Sequence, residues 1–162
     1  MKVVSCRIAG RPCIVPIEQV LEITPGRGWT PMPAGTATDS AAVTAIGILS
    51  YRGRAIPVLR LQLAAAVDAA ACAVTNDAAS HATRLLIIGG AAGGLNSQAL
   101  ALEADRVDVV LEIDDAVVQP PSDVRLDHPA VTGICRIHDT LTFLIDGRAL
   151  AAGRAPAGVA HE

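Results

Sequence analysis

Short runs in which apolar and polar residues alternate, separated by turns at close intervals, constrain this chain more than anything else in it. Val4, Cys6 and Ile8 alternate with Ser5 and Arg7, the period of a half-buried strand. Ala9-Gly10-Arg11 reads as a turn and residues 13–16 as the returning strand. Pro16 to Val20 reads as one helical turn opened by proline. A third strand then puts Leu21 and Ile23 inward and Val20 and Glu22 outward. Residues 46–61 give the clearest hairpin: two apolar runs around Tyr51-Arg52-Gly53, with a glycine before and a proline within the return. Further strands are read over 84–88, 99–104 and 107–113, with a last hairpin of 131–137 and 141–145 around His138-Asp139-Thr140. A helical turn follows at 146–150. No long amphipathic helix is present, and about nine or ten short strands point to an all-β sandwich or barrel.

The intervening segments fit that reading. Residues 24–42 form a loop rich in Pro, Gly, Thr and Ala whose Trp29 is expected to cap the core. Residues 61–67 favour a short helix, and the Ala-rich stretch 68–83 reads as a mobile connection between two halves. Gly89 to Gly94 resembles a phosphate loop in composition only. Beyond it Leu100 and Leu102 alternate with Ala101 and Glu103, as in a strand, so no helix N-terminus meets a phosphate there. It is read as a hairpin loop. From Ala151 the tail is small, polar and expected to be disordered, which leaves 1–150 as the domain, built as two small subdomains.

Composition removes several function classes. Aromatic residues make up 2% (Trp29, Tyr51 and Phe143) against 51% hydrophobic, so the core must be aliphatic and no stacking platform for nucleic acid exists. The formal net charge of -3 also argues against a phosphate-backbone binder. That charge is uneven: residues 1–62 hold seven Lys/Arg and three Asp/Glu (+4), and the remainder six and thirteen (-7). A basic front and an acidic back can steer two partners to two surfaces. Cys6, Cys13, Cys72 and Cys135 form no C-x-x-C pair and read as buried free thiols of a reducing cytoplasm. The N-terminus lacks a signal-peptide run, and no stretch reaches the length of a membrane span. The four histidines have no metal-ligand spacing, and no hydrolase, metalloprotease or nucleotide motif occurs. Glu103, Asp105 and Asp108 are the carboxylates from which an acid–base pair could be drawn, but a solvated face explains them more simply. No enzyme, cofactor or metal is expected.

The order of motifs resembles the CheW family, adaptor domains of bacterial chemosensory arrays. Ile14-Val15-Pro16-Ile17-Glu18-Gln19-Val20-Leu21-Glu22-Ile23 stands where the family carries A-L-P-V-E-D-V-x-E-I. Gly47 to Leu61, G-I-L-S-Y-R-G-R-A-I-P-V-L-R-L, is similar to G-V-I-N-L-R-G-x-V-I-P-V-I-D-L. Ala104 to Leu111 matches V-D-x-V-x-x-V-L, and Thr132-Gly133-Ile134 and Leu144-Ile145-Asp146 occupy the expected places. The resemblance implies two five-stranded SH3-like β-barrels around a shared core. It implies a non-catalytic bridge between the cytoplasmic tip of a methyl-accepting chemoreceptor and the regulatory domain of a CheA-type histidine kinase, without membrane insertion. It also implies that Val20, Glu22, Gly47, Arg52 and Val107 line or neighbour an inter-barrel groove, with Tyr51, Gly53 and Asp105 beside them. Arg52 has two readings: a structural one, bonding backbone carbonyls or Asp105, and an interface one, offering its donors to acidic side chains. Ser50 and Tyr51 replace the family's Asn and Leu, and Arg60 replaces an Asp, so the output could be pili or surface sensing, with the chain as regulator or competitor. A small ligand-binding barrel using Gly89–Gly94 is the remaining alternative.

Overall fold

The computed structural model describes residues 1–33, 42–63, 83–89, 99–121 and 128–152. Among the described residues eleven strands run in order: β1 (Lys2–Ile8), β2 (Arg11–Pro16), β3 (Val20–Pro25), β4 (Thr30–Pro31), β5 (Val43–Tyr51), β6 (Arg54–Leu61), β7 (Arg84–Ile88), β8 (Leu100–Ala104), β9 (Arg106–Glu112), β10 (Val131–Ile137) and β11 (Thr140–Ile145). One helix, α1 (Gly147–Ala152), follows, and single 3-10 turns lie at Ile17–Gln19 and Asp115–Val117. The strands make two sheets, β10-β11-β2-β1-β9 and β3-β7-β8-β6-β5-β4.

Three hairpins close through two-residue turns in which both residues have positive φ: Ala9-Gly10, Arg52-Gly53 and His138-Asp139. Positive φ at both central positions matches the right-handed twist of paired strands. Two parallel pairings, β11 with β2 and β6 with β8, complete the sheets.

Each sheet curls around its own small cluster. Val3, Ile14, Cys135 and Leu144 fill the first, with Leu111, Ile113, Val118 and Ile137 against them. A Gln119–Ile134 bridge draws the segment after β9 onto β10, the far edge of the same sheet. Leu49, Tyr51, Ile56, Val58, Leu85, Ile87 and Ala101 fill the second, with Trp29 and Ile46 beside them. Between the sheets lies the common core, where Val4, Cys6 and Ile8 of β1 and Val15 of β2 meet Leu59, Leu61, Leu86, Ile88, Leu100 and Leu102. Strands at this junction are buried on both faces, so β7 reads as an unbroken apolar run, L-L-I-I. The all-β architecture of two small units sharing a core is the expected one.

Buried polar groups tie the units together. His128 Nδ1 accepts from the Ala130 amide, so its Nε2–H donates to the Ala42 carbonyl at 3.1 Å, linking the start of β10 to the start of β5. Gln19 donates to Asp146 Oδ1 at 3.0 Å and accepts from the Gly147 amide at 2.8 Å. Asp146 also caps α1 through the Arg148 amide.

Several expectations change. In β3 the partner register skips from Val20–Ile88 to Glu22–Ile87, a bulge at Leu21 that resets the alternation. On this edge strand Leu21 and Ile23, expected inward, are exposed (37% and 42%), and Val20, expected to face out, packs against the shared core. A second bulge sets two residues of β9, Asp108 and Val109, against Ser5. Val109 is consequently exposed rather than inward. Leu61 ends β6 instead of opening a helix, and residues 64–67 lie outside the described residues, as do 68–82, Cys72 and most of the glycine-rich loop. The C-terminal turn becomes a helix reaching Ala152; the tail beyond it is not among the described residues.

Candidate functional site

Trp29 fixes the shape of the six-stranded unit's rim. The indole donates to the Gly26 carbonyl at 3.2 Å and lies over Gly47, where any Cβ would collide with the ring and with the Thr30 carbonyl. Gly47, a candidate contact residue, is thus buried as the seat of Trp29. The expected core-capping role of the tryptophan holds.

Next to this seat the β5–β6 turn projects Arg52. Its φ of 49° lies in the left-handed region, and Gly53 follows at 76°. Arg52 is exposed, and its guanidinium carbon sits 5.2 Å from the centroid of the Tyr51 ring, within cation–π range. Tyr51 itself is 7% exposed, and among the described residues its hydroxyl has no hydrogen-bond partner. Burial first, and Glu22 second, push the phenol above its ordinary range, while Arg52 pulls the other way. Glu22 therefore lies close to the Tyr51 hydroxyl, in position for a hydrogen bond that the present geometry does not complete. β3 and β5 stand far apart in the sheet order, so it is the curl of the sheet that brings Glu22, Tyr51 and Arg52 together.

Asp105 and Val107 are not part of that group. Asp105 Oδ2 accepts from the Gly10 amide at 2.7 Å, pinning the first hairpin turn to the β8–β9 junction. The structural reading that paired Arg52 with Asp105 is replaced by this bond and by the stacking of Arg52 on Tyr51. Val107 is half-buried against the shared core, as Val20 is.

The carboxylates considered for proton transfer each have another partner. Glu103 receives Arg60 through two bonds, Nε to Oε1 at 2.9 Å and a second nitrogen to Oε2 at 3.2 Å. Asp108 pairs with Arg106 at 2.9 Å. Arg60 is thus accommodated by a carboxylate across the parallel β6–β8 pair, which the sequence alone did not connect to it. Cys6 and Cys13 face each other across β1 and β2 and are buried. Burial pushes the Cys6 thiol up to about 12 and the Cys13 thiol further, so both act as small apolar groups. Among the described residues no group of His, Cys, Asp and Glu could hold a metal ion. No helix among them is long and apolar enough to cross a membrane.

A cavity of about 400 Å³ opens at the other unit, near Met1, Pro16, Thr132 and Leu144. Its carboxylates are engaged locally, Asp115 by the Met1 amine and Glu18 by Arg148. The Gly89–Gly94 loop, read as a hairpin loop, lies mostly outside the described residues.

The model of the CheW-like domain family matches residues 2–154. Among solved structures the chain is similar to the scaffolding protein TtCheW from Thermoanaerobacter tengcongensis, with 22% identity and a TM-score of 0.64 over 89% of this chain and 82% of that one. At that identity the likeness speaks for the fold. No curated protein sequence matches the chain.

Proposed function

The chain belongs to the CheW-like domain family, and from that premise we propose that it is a non-enzymatic adaptor of a chemosensory array. It couples the cytoplasmic tip of a methyl-accepting chemoreceptor to the regulatory domain of a CheA-type histidine kinase, working in the cytoplasm at the membrane-bound array. The observation that carries the reading is the rim where sheet curvature gathers Glu22, Tyr51 and Arg52 beside the Trp29–Gly47 seat. An arginine held in the left-handed region costs conformational energy that a glycine or asparagine would not incur. In this reading Glu22 and Arg52 meet the partner beside Tyr51, Gly53 closes the turn, Gly47 seats Trp29, Val20 and Val107 support the groove from the core side, and Asp105 holds the first hairpin turn.

Support for a non-enzymatic role comes from the carboxylates and thiols, which are committed to ion pairs, turn closure and packing. The test is a pull-down of the full chain with the kinase and a receptor fragment encoded alongside it, with kinase autophosphorylation as readout. Binding to both, with receptor-dependent activation, is expected. Binding to neither ends the adaptor reading, and binding without activation replaces it with that of a competitor.

A further inference from the structure

Tyr51 places a hydroxyl where the CheW family motif carries a leucine. The side chain helps fill the small core of the six-stranded sheet, and its hydroxyl oxygen is enclosed with no partner among the described residues. Buried tyrosines normally find an acceptor, because an enclosed polar group without one is unfavourable. The acceptor within reach is Glu22, exposed on β3 and close to that hydroxyl. A rotation of this exposed side chain completes the bond while the Tyr51 ring keeps its place in the core. β3 and β4 are the two edges of the sheet and share no ladder among the described residues. A Glu22–Tyr51 bond therefore ties edge strand β3 to β5 where no backbone ladder does. While the rim is uncovered, water competes for Glu22, and a solvated carboxylate gains little from one more donor. That competition ends where a partner excludes the water.

We infer that Tyr51 is a positioning residue for Glu22: as the receptor tip covers this rim, the Tyr51 hydroxyl donates to the Glu22 carboxylate and closes the seam between β3 and β5. The inference rests on the adaptor reading and adds to it a role for a residue that departs from the family's motif. A carboxylate stripped of water is costly unless donors replace that water, and an O–H···O⁻ bond is among the stronger replacements. Tyr51 supplies the donor from within the chain. The partner surface over Glu22 therefore needs no cation, and an uncharged position on the receptor helix suffices there. Arg52, stacked on the ring of the same tyrosine, is the competing donor for Glu22, and the experiment separates the two.

The experiment is a double-mutant cycle on the full chain, read by calorimetry with the receptor-tip fragment and by urea unfolding of the free protein. Tyr51→Phe keeps the ring and its stacking and removes the hydroxyl alone. The free variant should unfold at the wild-type urea midpoint or slightly above it, since an orphaned hydroxyl is lost. It should bind the receptor fragment about tenfold more weakly, because the covered carboxylate then lacks its donor. In a Glu22→Ala background the same change should alter affinity less than about twofold, as no carboxylate is left to satisfy. In Glu22→Gln, which keeps an acceptor without the charge, the cost should fall between the two. Wild-type affinity in Tyr51→Phe overturns the proposal and leaves Glu22 to Arg52 or to the partner. Equal losses in the Glu22 and Glu22→Ala backgrounds overturn it as well, since the hydroxyl then serves another group. So does a urea midpoint lowered by Tyr51→Phe only while Glu22 is present, which makes the bond a permanent brace. Binding of the wild type to the kinase domain without the receptor fragment also overturns it. Absence of binding to both removes the adaptor reading itself, a result distinguishable from the others.

Discussion

Replacing Arg52 with asparagine separates its two roles. At φ 49° an ordinary side chain carries a penalty of about 1–2 kcal/mol from Cβ crowding, which asparagine largely escapes. Asn-Gly is also the favoured pair for a two-residue turn in which both φ angles are positive. Against that gain stands the loss of the Tyr51 stacking at 5.2 Å, worth about 0.5–1 kcal/mol at an exposed site. The net expectation is a domain as stable as the wild type or more stable by up to about 1 kcal/mol, a urea midpoint higher by a few tenths molar. Trp29, the lone tryptophan, reports unfolding directly. Receptor affinity should fall even as stability holds, and Arg52→Ala should weaken coupling in a folded domain. A loss of more than about 1 kcal/mol in Arg52→Asn would refute the reasoning and make the arginine a hairpin brace. Unchanged affinity would remove it from the interface.

Three other contacts carry consequences of their own. Arg60→Asp faces Glu103 with a like charge and should cost about 1 kcal/mol in urea denaturation. Adding Glu103→Arg should restore most of it, and no restoration would mean the pair is incidental. Gly47→Ala drives a methyl into the Trp29 ring and the Thr30 carbonyl, so stability should drop by about 1–3 kcal/mol with a shift in tryptophan emission. Unaltered melting and emission would show that the indole moves aside freely. Burial lowers the His128 pKa from 6.5, so the unfolded chain takes the proton first. Its contribution is present above pH 6.5 and is lost as pH falls through the window below it; the slope of stability with pH there should flatten in His128→Gln. An equal slope in both proteins would place the titration elsewhere.

Much of this fold is legible in the chain because local chemistry settles it. Glycines at positions 10 and 53 and the doublet His138-Asp139 sit where positive φ is required, so hairpins can be read from turn residues and alternation. The bulges cannot, because they come from the partner strand. Skipping Leu21 against β7, or fitting Asp108 and Val109 against Ser5, reverses the side on which later residues emerge. The candidate site was visible as residue types and scattered in sequence. Glu22 lies near Tyr51 only once a sheet with β3 and β5 near opposite edges curls. Arg60 finds Glu103 only through a parallel pairing, a non-local contact with no sequence pattern of its own. Gly47 carries a signal that has two readings: a small residue permits close approach of a partner or of the chain's own side chain, and here Trp29 occupies the space.

The adaptor account turns on a three-component reaction: kinase, receptor-tip fragment and this protein, with autophosphorylation of the kinase as the readout. The account predicts that the receptor fragment changes kinase activity only when this protein is present, and that Arg52→Ala, folded by circular dichroism, diminishes the effect. Receptor control of the kinase that is identical with and without the protein would contradict it.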